Sequence, residues 1–233
     1  MTQKSSHALI VRGGWDGHAP VAATELFIPF LEQQGFAITI AESPAPYADE
    51  ALMQGIDLIV QSVSMSTIER HELAGLVAAV ERGTGLAGWH GGIADSFRNS
   101  SDYLQLVGGQ FATHPSKQVV HGNETDNFLA HTVNVTELGR QHPIMQGIDD
   151  FELETEQYWV LHDDLSDVLA TTTHPSHDWQ PWHRPIVSPA IWTRLWGAGR
   201  IVVATPGHSV DVLKSENVNT IIKRGMLWAS RTA

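Results

Sequence analysis

Apolar runs of strand length alternate with segments of helical period along most of this chain, and few folds accommodate such a pattern. Residues 7–12 read as a short buried strand, followed by Gly13-Gly14-Trp15-Asp16-Gly17-His18 and an apolar helical stretch over 19–34, closed by Gly35. Strands follow at 37–41 and 57–61, separated by a proline-containing segment and a short acidic helix near 48–53. Ser66 and Glu69 have capping-box spacing, and Leu73, Leu76, Val77 and Val80 repeat at helical intervals as far as the break at Gly83. Another strand is predicted over 84–89. Regular order returns at 186–193 and 200–204, before a last helix in which Val218, Ile221, Ile222, Gly225 and Ala229 share one face. Crossovers of this length put a helix between parallel neighbours, so the pattern predicts one α/β domain over 1–233 with a parallel sheet covered on both faces. The stretch 108–185 is rich in His, Thr, Asp and Pro and lacks long helical periodicity. It reads as a β-rich elaboration of that domain.

Ligands of such sheets gather at strand C-termini. Three glycine-flanked histidines each follow a predicted strand: His18 in GWDGH, His90 in GWHGG and His208 in PGH. With these strands parallel and close in the sheet, their turns open onto one edge and distant imidazoles converge. Facing neutral imidazoles either share protons or, with a carboxylate, bind a divalent metal such as Zn²⁺ or Mn²⁺.

Composition removes several alternatives. With 14 Lys+Arg against 26 Asp+Glu the formal charge is −12, a sign that repels nucleic acid and anionic membranes. There is no cysteine, hence no disulfide framework, no thiolate zinc ligand and no catalytic thiol. The early apolar run from Ala8 to Val11 is too short for a signal-peptide core, and no window approaches the roughly 20 residues that span a bilayer; a soluble cytoplasmic protein is expected. GxGxxG is absent and no suitable acidic residue closes the second strand, so no nucleotide cofactor is expected. The chain carries 13 His and 8 Trp, which suits proton transfer, metal ligation and flat walls for sugar rings.

The Gly88-Trp89-His90-Gly91-Gly92 segment has nucleophile-elbow spacing, in which glycines clear space for a sharp strand-to-helix turn. Here histidine occupies the exposed position. The chain resembles the class I glutamine amidotransferase-like superfamily, and within it the ThuA-like (trehalose utilisation) family. The resemblance rests on GWHGG, Gly108-Gly109-Gln110-Phe111 followed by His114-Pro115, His142-Pro143-Ile144, Glu156-Gln157-Tyr158, Pro189 through Trp192, Gly197-Ala198-Gly199-Arg200, Pro206-Gly207-His208 and Leu227-Trp228-Ala229. It implies a flavodoxin-like, amidotransferase-like three-layer sandwich with a mainly parallel sheet. By the same resemblance His90 replaces the nucleophilic Cys of the amidotransferases while His208 keeps their histidine position, which excludes amidotransferase chemistry. The acidic residue two places beyond the relatives' histidine falls on Val210, with Asp211 one position further, so no literal triad is implied.

By the resemblance, Glu156-Gln157-Tyr158 matches a recurrent acidic-x-Tyr site element of the family, which makes Glu156 the preferred carboxylate; His90, His208 and Glu156 are the expected catalytic residues, and His18, His90 and His208 the expected metal ligands. Trp15, Asp16, Trp89, His114, His121 and Tyr158 are expected around a substrate. The aromatic stretch 174–185 reads as a lid or surface loop whose indoles, with Asp178 or His183, could form a carbohydrate platform; self-packed loop tryptophans or a dimer contact are the alternatives. Arg200 reads as one half of a structural ion pair.

The resemblance associates the chain with trehalose and 3-keto-sugar catabolism. A ring ketone acidifies the neighbouring C–H, so one base and one electrophile suffice for an enediolate that isomerises or expels the glycosidic oxygen. A metal would be the electrophile, and Glu156 or a further histidine the base. Hydrolysis by two carboxylates lacks a convincing acidic pair. The competing reading is a non-catalytic sugar-binding or regulatory module that kept the cleft and lost the thiol. A metal-free hydrolase would need a Ser or Asp elbow opposite His208, and none is present. The expected partner is a small carbohydrate, with homo-oligomerisation left open.

Overall fold

The structure is a computed structural model that describes residues 6–116, 119–120, 123–124 and 127–231. Its strands in chain order are β1 (Ser6–Gly14), β2 (Phe36–Ala41), β3 (Leu58–Ser64), β4 (Gly85–Trp89), β5 (Gly109–Thr113), β6 (Val119–Val120), β7 (Asn123–Glu124), β8 (Phe128–Val135), β9 (Phe151–Glu156), β10 (Trp159–His162), β11 (Asp167–His174), β12 (Ile186–Trp196) and β13 (Gly199–Ala204). The helices are α1 (Pro20–Glu25), α2 (Ile28–Gln33), α3 (Glu50–Gln54), α4 (Arg70–Glu81), α5 (Gly91–Ala94), α6 (Ser101–Val107), α7 (Glu137–Gln141), α8 (Val210–Lys214) and α9 (Glu216–Ala229).

Nine strands form the main sheet in the order β2-β1-β3-β4-β13-β12-β11-β8-β9. The first five are mutually parallel. The remaining four extend the sheet in antiparallel fashion. Because successive side chains of a strand point to opposite faces, β1 feeds two cores at once. Ala8 and Ile10 join Phe27, Leu31, Val218, Ile221, Ile222 and Met226 on one side, while Leu9 and Val11 join Met53, Leu73, Leu76, Tyr103 and Leu106 on the other. Helices thus cover both faces of the parallel half. Each fully buried Leu, Ile or Phe contributes about 1.5–3 kcal/mol relative to exposure, and these two layers fix where the strand ends lie.

The predicted helix over 19–34 is two helices. Pro29 lies in the first turn of α2; without an N–H, and with a ring that crowds the preceding turn, it cannot continue α1. The capping box at the start of α4 is not Ser66 with Glu69. It is Glu69 with Glu72, whose carboxylate accepts from the Glu69 N–H at 2.8 Å. The helix α6 carried no clear periodic signal and was not anticipated. Arg200 makes no ion pair among the described residues: it donates to the Trp228 carbonyl at 3.1 Å and sits over that indole. Among the described residues no helix is long and apolar enough to cross a membrane.

Candidate functional site

The adjacent order β1-β3-β4-β13 brings the C-termini of four parallel strands to one edge. His18 follows β1, Ser64 ends β3, His90 follows β4 and His208 follows β13. His90 is held in an elbow with φ +50° and ψ −142°, a backbone state that costs a non-glycine residue about 1–3 kcal/mol. Its N–H donates to the Ala204 carbonyl at 2.6 Å, which ties the elbow to β13. Gly91 is required by close approach, because a Cβ there would lie 2.5 Å from His18 Cε1.

The three imidazoles meet. Ring centroids are 4.7 Å apart for His18 and His90, 5.2 Å for His18 and His208, and 5.2 Å for His90 and His208. Glu156, at the end of β9, completes the group: one ligand-type atom from each of His18, His90, Glu156 and His208 lies within 4.8 Å of the others. Glu156 Oε2 is 3.0 Å from His90 Nε2 and 2.9 Å from His208 Nδ1.

The hydrogen bonds define which nitrogens point inward. His90 Nδ1 lies 2.8 Å from the Thr205 carbonyl, so it carries the proton and donates. That leaves the Nε2 lone pair of a neutral ring facing Glu156, His208 Nδ1 at 3.3 Å and the Tyr158 hydroxyl at 2.7 Å. His18 uses Nδ1 toward Ser64 Oγ at 2.7 Å, which fixes its ring and leaves its other nitrogen available. Burial, then the neighbouring His90 and His208, pull the His18 pKa down to about 3. Burial also lowers that of His90, against the opposing influence of Glu156. For Glu156, burial pushes upward, but the facing His208 and His90 outweigh it and hold the carboxyl below its usual range. Tyr158 is kept protonated by burial and by the adjacent Glu156 charge. Imidazole nitrogens and carboxylate oxygens thus converge on one point. A cation or shared protons would relieve that crowding, and the donor set suits Zn²⁺ or Mn²⁺.

A cleft of about 310 Å³ opens beside this group, lined among others by Trp15, His18, Phe111, His114, Glu156 and Tyr158. His114 Nε2 is 3.6 Å from Glu156 Oε1, and its Nδ1 is 3.4 Å from the Gln157 carbonyl. Trp15 is 46% exposed and its ring meets His18 edge-on, so it forms part of the wall. Trp89 does not: it is buried beneath the elbow against Phe27, because its side chain points into the core layer occupied by α1 and α2. Asp16 is exposed in the turn and does not line the cleft. His121 lies outside the described residues. The 174–185 segment also stays away from the cleft lining: Gln180 Nε2 donates to the Pro115 carbonyl at 2.7 Å, and Trp182 packs edge-on against Trp159. Sequence reasoning missed Ser64, Asp95, Arg98 and Asn127, which carry no motif of their own. Phe111 was visible only as part of Gly-Gly-Gln-Phe.

Such a histidine–carboxylate group lies at the C-terminal ends of the parallel strands of an α/β protein. The chain belongs to the ThuA (trehalose utilisation) family, whose model matches residues 7–229. Among solved structures it is similar to a ThuA-like protein from Bacteroides uniformis ATCC 8492, at 15% identity and TM-score 0.72 over 98% of this chain and 93% of that one. A ThuA-like protein from Parabacteroides merdae ATCC 43184 is similar at 14% identity and TM-score 0.72, over 99% and 92%. A protein from Salmonella typhimurium LT2 described as cytoplasmic matches at 15% identity and TM-score 0.59, over 97% and 100%. No curated protein matches the chain in sequence. The family gives a carbohydrate-related role.

Proposed function

We propose that this protein is an enzyme of carbohydrate catabolism that acts on a keto-sugar or keto-disaccharide of the trehalose type, by enolisation followed by isomerisation or loss of the glycosidic oxygen. The observation that carries this reading is the convergence of His18, His90, Glu156 and His208 within 4.8 Å; a binding module needs a wall and a cleft but no such grouping. These four residues would hold a divalent ion, Zn²⁺ or Mn²⁺, which when bound supplies electrophilic polarisation of the substrate ketone. His114, which lines the cleft beside Glu156, serves as the base. Its Nε2 takes the proton from the carbon beside the ketone, and the C–H electron pair becomes the C=C bond of the enediolate. Returning a proton to the other carbon isomerises the sugar, whereas a glycosidic oxygen on the next carbon leaves as the C=C bond shifts. Tyr158 holds His90 through its hydroxyl, and Trp15 covers one face of the reacting ring.

The parallel order β2-β1-β3-β4-β13 supports a flavodoxin-like, amidotransferase-like core, with 108–185 as its β-rich elaboration. The acidic charge supports work on a diffusible cytoplasmic metabolite without nucleic acid or membrane.

The test is His90→Ala assayed with a keto-disaccharide, alongside elemental analysis of purified protein. Turnover should vanish with the melting temperature within a few degrees of the parent. Retained turnover, or full activity in chelator-stripped protein, would defeat the reading.

A further inference from the structure

The cleft beside the histidine group is also lined by a second set of polar and aromatic side chains. Asp95 follows α5 and is buried, while Arg98, three residues on, is exposed. Arg98 Nε donates to Asp95 Oδ1 at 2.5 Å and Nη2 to Asp95 Oδ2 at 2.6 Å. This two-pronged contact locks the guanidinium plane and neutralises its charge. No acceptor among the described residues takes the protons of Nη1. The guanidinium carbon stands 5.8 Å from the centre of the Phe111 ring, and Phe111 in turn packs on Tyr158 at 4.4 Å. Asp95, Arg98, Phe111 and Asn127 all line the cleft. Among the described residues nothing donates to the buried Asn127 Oδ1, an orphaned acceptor that a ligand or water would satisfy.

We propose that Arg98, Asn127 and Phe111 form a second sugar subsite, which reads the hydroxyls of the ring that does not react and makes the cleft selective for disaccharides over monosaccharides. The inference rests on the carbohydrate reading above and names its substrate class. A pyranose offers an apolar face and adjacent hydroxyls, each both donor and acceptor. Phe111 meets the face, Arg98 Nη1 donates to one hydroxyl and Asn127 Oδ1 accepts from another. An anionic ligand fits less well, because Asp95 already balances the guanidinium and Glu156 lies in the same cleft. Arg98 touches neither the reacting carbon nor the histidines; it determines specificity.

The test is calorimetric titration of the full chain with trehalose, which has two rings and no ketone, and with D-glucose, which has one. The parent should bind trehalose about tenfold more tightly than glucose, the worth of one or two well-formed hydrogen bonds. Arg98→Lys keeps a cation beside Asp95, so the fold is retained, but loses the fixed Nη1 donor; the ratio should fall to near one with glucose affinity unchanged. Asn127→Ala should reduce it severalfold. Equal binding of both sugars by the parent, no detectable binding of either, or an unchanged ratio in Arg98→Lys each overturns the subsite. Failure here is separable from failure of the proposed reaction. Turnover of a keto-disaccharide with KM untouched by Arg98→Lys rejects the subsite alone. A trehalose preference that Arg98→Lys abolishes, in a protein that turns over no keto-sugar, rejects the reaction alone.

Discussion

Replacing Gly91 with Ala adds one methyl group at the tightest point of the site. Its carbon would stand 2.5 Å from His18 Cε1, 2.9 Å from His18 Nδ1 and 3.3 Å from Ser64 Oγ. Carbon atoms pack at about 3.5–4.0 Å, so the imidazole must retreat by about 1 Å. The Gly91 backbone is not in the left-handed region, which leaves the effect purely steric. His18 sits half-buried in an exposed turn and can yield outward, so the stability loss should lie near the lower end of overpacking costs, about 1 kcal/mol. The retreat breaks the 2.7 Å contact with Ser64 and withdraws one of the four convergent groups. Zinc affinity, read by competition with a chromogenic chelator, should fall about 10–100-fold, and thermal unfolding should shift by only a few degrees. Affinity within twofold of the parent at unchanged melting temperature would refute the reasoning, since the methyl would then be accommodated without moving His18.

Gln61, fully buried on β3, accepts from Tyr47 and donates to Ser96 and Tyr103; Gln61→Leu should cost about 1–3 kcal/mol in urea unfolding by leaving the buried Tyr47 hydroxyl unpaired, and no measurable loss would show that it finds another partner. Burial lowers the pKa of His131, of His142 and of His174. The unfolded chain takes up these protons near pH 6.5, whereas the folded chain resists them to lower pH. The stability they contribute is therefore complete above about pH 6.5 and declines with acidification. The urea midpoint should hold from pH 7.5 to about 6.5 and drop from there to pH 5, and His131→Gln should flatten the decline; a midpoint that rises on acidification contradicts the sign.

The strands and helices of the parallel half were legible because burial imposes local rules. A strand covered on both faces is a continuous apolar run, as over 58–60, and α9 shows its buried face at helical spacing. The three glycine-flanked histidines and Glu156 were legible as candidates for the same reason: strand-to-helix turns leave recognisable glycines. Where local chemistry competed with periodicity the sequence misled, as at Pro29, which divides an apolar stretch of helical composition, and at Glu69, which caps α4 in place of Ser66.

The chain's own residues determined that a parallel sheet would form and that histidines would stand at its strand ends. Tertiary structure decided which strand ends are neighbours. The order β1-β3-β4-β13 sets residues some 70 to 190 positions apart within a few ångströms, and β9 delivers Glu156 from the opposite sheet edge. Tertiary structure also sent Trp89 into the core while leaving Trp15 on the cleft, though both flank similar turns. Paired with neither motif nor period, Arg98 and Asn127 gain meaning only from the cleft they share. Strand order and side-chain facing follow from the packing of all layers together, and a local stretch of sequence carries no record of what packs against it.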